Sequence, residues 1–122
     1  MSFTLDTKGQ STLQSTNPVT YGYTCGSGTK LLVVTINIGS TSPRAGGTPT
    51  YNSIAMRYGT ARQSSGESAV EVWFLENPPT GSSYTISVPN TGLLDIVIDA
   101  ISFKCTKSYA VLDSVASGTG SA

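Results

Sequence analysis

Apolar and polar residues alternate along this chain with a period of two. The alternating runs are short and are separated by Gly, Pro, Asn and Ser clusters roughly every ten residues. The clearest run is Lys30 to Ile38. There Leu32, Val34, Ile36 and Ile38 make one fully apolar face, and Leu31, Val33, Thr35 and Asn37 a half-apolar one. A strand of that kind is predicted to be central, with something covering its second face. Further strands are predicted at Phe3 to Asp6, Gln10 to Leu13, Val19 to Thr24, Ser68 to Glu76, Tyr84 to Val88 and Leu93 to Phe103, the last long enough to bend or bulge. In Ser68 to Glu76 we assign Val70, Val72 and Phe74 to the core and Glu71, Trp73 and Leu75 to the opposite face.

Between these runs the breakers have specific readings. Gly39 to Thr48 is a loop, punctuated throughout by Gly, Ser and Pro. Asn52-Ser53 is predicted to form a two-residue hairpin turn. Pro78 and Pro79 cannot donate to a ladder, so the strand holding Trp73 must stop near Asn77, with Pro79 and Gly81 suited to the turn that follows. No window carries apolar residues at helical spacing with caps. The fold class is therefore all-β: a single antiparallel sandwich, jelly-roll-like, over residues 1–122. We expect an N-terminal arm over about residues 1–18 and a Gly/Ser-rich tail over about residues 114–122.

Composition narrows the function. Charged residues make up 11% of the 122, with seven basic against seven acidic and a net charge of zero. No basic cluster exists, so nucleic-acid binding through phosphate neutralisation is not expected. A near-neutral surface also lacks the self-repulsion that keeps a free monomer apart, which favours an assembly subunit. The apolar stretches are about nine residues at most, too short to span a bilayer as helices. The opening "MSFTLDTKGQ" does not read as a signal peptide.

Catalysis finds little to work with. The chain has no histidine, which removes the common nucleophilic triads and most transition-metal sites. Asp95 and Asp99, read as one face of one strand, would stand about 13 Å apart, beyond the roughly 5–9.5 Å of paired glycosidase carboxylates. They are read as solvated, and Glu71 and Glu76 fall on opposite faces. We expect no catalytic residues, no metal and no cofactor. Cys25 and Cys105 are read as reduced thiols, with a disulfide across the sandwich as the alternative. The aromatic residues, among them Tyr21, Tyr23 and Trp73, are read as core or subunit interface, the alternative being a sugar-stacking platform.

The series "KLLVVTINIG", "TPTYNSIAMR", "VEVWFLENPPTGSSYTISV" and "DIVIDAISFK" resembles a β-sandwich module of phage virion and microbial surface proteins. The likeness covers roughly residues 19 to 105 and is most specific at the Trp and Pro-Pro-Thr-Gly turn; Ser53 stands where that module favours Gly. The resemblance implies a jelly-roll-like, non-enzymatic structural or display domain and brings no catalytic residues. The expected function is thus a structural subunit of a viral or phage particle, a capsid decoration or appendage protein made in the host cytoplasm. Its partners would be copies of itself, a major capsid protein or another virion protein. The expected interface residues are Trp73, Leu31, Val33, Tyr21 and Tyr23. The alternative is a carbohydrate-binding or adhesive extracellular surface module using exposed Tyr and Trp.

Overall fold

The computed structural model describes residues 3–40, 44, 46–63 and 68–105. The expected Gly/Ser-rich tail lies outside these residues, as do residues 41–43 and 45 of the expected loop. Nine strands follow in chain order: β1 (Phe3–Gln10), β2 (Val19–Thr24), β3 (Thr29–Ile38), β4 (Thr50–Tyr51), β5 (Ile54–Ala55), β6 (Arg57–Gln63), β7 (Ala69–Glu76), β8 (Ser83–Val88) and β9 (Ile96–Cys105). They form two sheets, ordered β1-β9-β3-β7-β6 and β2-β8-β4-β5, in which every pairing is antiparallel.

That order is nested: β1 pairs with β9, β2 with β8 and β3 with β7. A hairpin folded double and rolled up produces this nesting, so the sandwich has jelly-roll connectivity. β5 and β6 are one run of chain that changes sheet at buried Met56, whose N–H donates to the Pro49 carbonyl. Bending a strand at a corner lets one segment serve both layers.

The core lies between the sheets. Leu32, Val34, Ile36 and Ile38 of β3, with Ile96, Ile98 and Ala100 of β9, face Val19, Tyr23, Tyr51, Ile86 and Val88 of the smaller sheet. β3 is therefore central, with its fully apolar face inward, as its pattern predicts.

β7 is inverted relative to the prediction. Its register sets Leu75 beside Leu32, Trp73 beside Val34 and Glu71 beside Ile36. Glu71, Trp73 and Leu75 thus face the core, and Val70, Val72 and Phe74 face outward. Both faces of β7 are apolar, so alternation alone gives the phase but not the direction.

Other boundaries moved for local reasons. The strand predicted at Phe3 to Asp6 runs on to Gln10 as the eight-residue β1, whereas Ser11 to Leu13 of the predicted second strand form none. Residues 3–10 are therefore an edge strand of the larger sheet and not an arm. β9 begins at Ile96 instead of Leu93, because Asn90 holds the preceding segment as a turn. Its carboxamide is fully buried; it donates to the Thr16 and Leu94 carbonyls and accepts from the Leu94 N–H. The irregularity expected in β9 lies in its neighbours, between Leu5 and Thr7 and between Thr29 and Leu31. The Asn52-Ser53 hairpin forms as predicted, with φ of 51° and 63° at its two central residues. Positive values at both define a type I′ turn.

Candidate functional site

Three polar clusters brace the sandwich. The first is buried on the inner face. Arg44 grips Glu71 with two hydrogen bonds, Nε to Oε2 at 3.2 Å and Nη2 to Oε1 at 2.8 Å. Its remaining Nη1 donates to the Gly46 and Pro89 carbonyls, and Trp73 Nε1 donates to Glu71 Oε1 at 2.9 Å. Arg44 is the one charged residue in the Gly39-to-Thr48 loop. A glutamate facing a core needs such a cation.

The second cluster sits at the irregular point of β1. Asp6, squeezed out of register, turns its carboxylate inward. Oδ2 accepts from the Gly26 N–H at 2.8 Å, from Thr29 Oγ1 at 3.0 Å and from Ser102 Oγ at 2.8 Å, while Lys104 Nζ lies 3.6 Å from Oδ1. Burial pushes this carboxyl up, but the donors and the lysine outweigh it and hold it below its usual 3.8. Tyr23 closes the cluster, its hydroxyl 2.8 Å from Ser102 Oγ and donating to the Thr7 carbonyl. Ser102 is fully buried, so this Asp–Ser–Tyr chain braces β1, β2 and β9 from the inside. The third cluster is the Asn90 turn.

The acidic pairs considered from sequence do not meet. Asp95 precedes β9 and accepts from Ser15 Oγ, whereas Asp99 lies on the outer face and accepts from Asn37 Nδ2 at 2.7 Å. Glu71 is inside and Glu76 outside, beside Arg57 at 3.3 Å. Among the described residues, no three His, Cys, Asp or Glu side chains gather as a metal group. Cys25 and Cys105 are free thiols. Cys25 is in the core, whereas Cys105 falls on the outward register of β9, which sets the larger sheet between them.

The expected interface residues divide. Tyr21 and Tyr23 are on the inner face of β2, with ring centroids 6.3 Å apart and planes tilted by 43°. The Tyr21 hydroxyl packs over Gly9, where any Cβ would strike it. Trp73 is also inward, with Tyr58 against its edge at 5.3 Å. These aromatics therefore present no coplanar platform. Leu31 and Val33 do reach the outside.

There they join an apolar surface. Directly paired residues share a face, so the register places Leu5, Phe103 and Leu31 in one row across the larger sheet. Ile101, Val33 and Phe74 form the next, and Val72, Val97 and Val70 lie beyond. Leu5 is 55% exposed and most of the others are half-buried by their own neighbours. Phe74 is covered by the Arg57 guanidinium, 5.2 Å from its ring centroid. Lys8, Gln10, Thr35 and Asp99 surround a depression of about 450 Å³ in this face. Glu76 and Arg57 mark the far side. The two rows built on Leu5, Phe103, Leu31, Ile101, Val33 and Phe74 are apolar, whereas Asp99, Thr35 and Asn37 set a polar seam between them and Val97 and Val70. The inverted β7 hid this surface from sequence reading, since its Val70, Val72 and Phe74 had been assigned to the core.

No known protein family, curated protein or solved structure matches the chain. No helix among the described residues is long and apolar enough to cross a membrane.

Proposed function

We propose that this chain is a non-enzymatic structural subunit of a viral or phage particle, a capsid decoration or appendage protein. It docks through the outer face of the larger sheet onto copies of itself, a major capsid protein or another virion protein. The observation that carries this reading is the apolar surface built on Leu5, Phe103, Leu31, Ile101, Val33 and Val72. Antiparallel sheets normally leave a polar side to water, and an apolar patch rimmed by charge is the usual anatomy of a docking surface. The whole outer face, polar seam included, spans five strands at about 4.8 Å and seven residues at about 3.3 Å, or roughly 550 Å². A face-to-face pair would bury about 1,100 Å², at the lower edge of specific interfaces. The particle setting draws on the likeness of the Trp73-to-Gly81 segment to virion sandwich modules.

Sedimentation velocity over a concentration series tests the reading. Wild type is expected to associate. Ile101→Lys and Val33→Glu, which point away from the core, are expected to stay monomeric with an unchanged melting temperature. Wild type that remains a monodisperse monomer at high concentration would sink the self-assembly. The alternative of a glycan platform made of Tyr and Trp draws no support from the inward placement of Tyr21, Tyr23 and Trp73.

A further inference from the structure

The two outward faces of this sandwich are chemically opposite. None of the four strands of the smaller sheet contains a charged residue. Its outer face is set by register: Thr20, Ser87 and Thr50 form a row across three strands, Gly22 pairs with Thr85, and Thr24 with Ser83. Neighbouring hydroxyls are thus spaced about 4.8 Å across strands and about 6.7 Å along them.

The Ser83 hydroxyl leans over Gly22, and on the β8–β4 side of this lattice lies a depression of about 390 Å³. It is lined by Thr50, Asn52, Ser53, Ser83, Thr85 and Ser87, with Tyr84 at one side. The Asn52-Ser53 turn is tied down over it by the Asn52 N–H, which donates to the Thr85 carbonyl at 3.1 Å.

The polar groups here are not used by the fold. Among the described residues, neither the Asn52 carboxamide nor the side-chain hydroxyls of Thr50, Ser53, Ser83, Thr85 and Ser87 bond to another protein group. Thr29 and Ser102, by contrast, are bonded internally. Ser53 also adopts a left-handed φ of 63° that Gly would take without a Cβ clash. The chain keeps a hydroxymethyl at the rim of the depression where the turn itself would favour none.

We propose that this face is a binding site for a neutral polysaccharide. Sugar hydroxyls and Ser/Thr hydroxyls each donate and accept, so they pair in either sense. A surface without charge has nothing to neutralise a phosphate, sulfate or uronate, and it matches a partner that is itself uncharged and hydroxyl-rich. The site uses none of the residues of the docking face and does not depend on it. Open, singly paired hydroxyl contacts predict weak binding that is insensitive to salt.

The test compares retention of the protein on surfaces coated with dextran, galactomannan or β-1,3-glucan, with alginate as the anionic control. Retention on at least one neutral polymer is expected, changing less than about twofold between 50 and 500 mM NaCl. Thr85→Val keeps the shape and removes a hydroxyl from a solvent-facing position; it should reduce retention at least threefold without moving the melting temperature. Ser53→Gly should reduce retention while raising the melting temperature, which separates binding from folding. Three results would overturn the proposal: no retention on any neutral polymer, retention confined to alginate and lost with salt, or neutral retention that both variants leave intact. Self-association lost in Thr85→Lys but kept in Ile101→Lys would overturn it too, by assigning this face to a second copy.

Discussion

Cys25 and Cys105 differ in more than position. Burial pushes the Cys25 thiol up to about 11, so at neutral pH it carries almost no thiolate, the reactive form. Cys105 is half-buried at the outer end of β9. A thiol reagent such as DTNB should therefore modify one cysteine in the native protein, and the second only after denaturant is added. Reaction at both sites without denaturant would show that the core opens around Cys25. Arg44 and Glu71 make a second prediction at this scale. Removing either partner strands a buried charge, which typically costs about 3–5 kcal/mol. Arg44→Ala and Glu71→Ala should each lower denaturant stability by an amount of that order. The double variant should cost less than the sum, because the two losses share one ion pair.

At the level of elements, Asp6 ties β1 to the β2–β3 loop and to β9. Its folded-state value is lowered relative to the usual 3.8. The stabilisation is therefore fully present above that value and is lost as the pH falls through the folded one. Urea unfolding from about pH 6 down to about pH 2 should show an acid limb that Asp6→Asn flattens. An unchanged limb would move the acid sensitivity to another carboxylate. The strands themselves were legible to different degrees, for physical reasons. β3 could be read in both extent and direction, since one face is entirely aliphatic and the other carries Thr35 and Asn37. β7 could be read only in extent: Val70, Val72 and Phe74 look as core-like as Trp73 and Leu75. Glu71, which marks a solvent side by ordinary rules, is neutralised by an arginine 27 residues away. No periodicity reveals such a partner, although a lone cation in an otherwise uncharged loop was the available signal. The docking face went unread with it, because finding that face requires knowing which way β7 points.

Over the whole molecule, jelly-roll nesting fixes what each surface can become. Pairing β1 with β9 and β3 with β7 gathers Leu5, Ile101, Val33 and Val72 on one outer face. Pairing β2 with β8 gathers Thr20, Gly22, Thr85 and Ser87 on the other. A net charge of zero leaves no long-range repulsion between copies to oppose contact. If the apolar face drives assembly, its response to conditions should be that of apolar burial. Hydrophobic association weakens on cooling, whereas surface ion pairs weaken with salt. The dissociation constant from sedimentation should therefore rise between about 25 °C and about 4 °C and fall with ammonium sulfate. It should change less than about twofold between 50 and 500 mM NaCl. The reverse pattern, dissociation by NaCl with little effect of cooling, would assign the contact to the charged residues Lys8, Asp99, Arg57 and Glu76 of this face. The apolar centre would then be a bystander, and Ile101→Lys should leave the assembly intact.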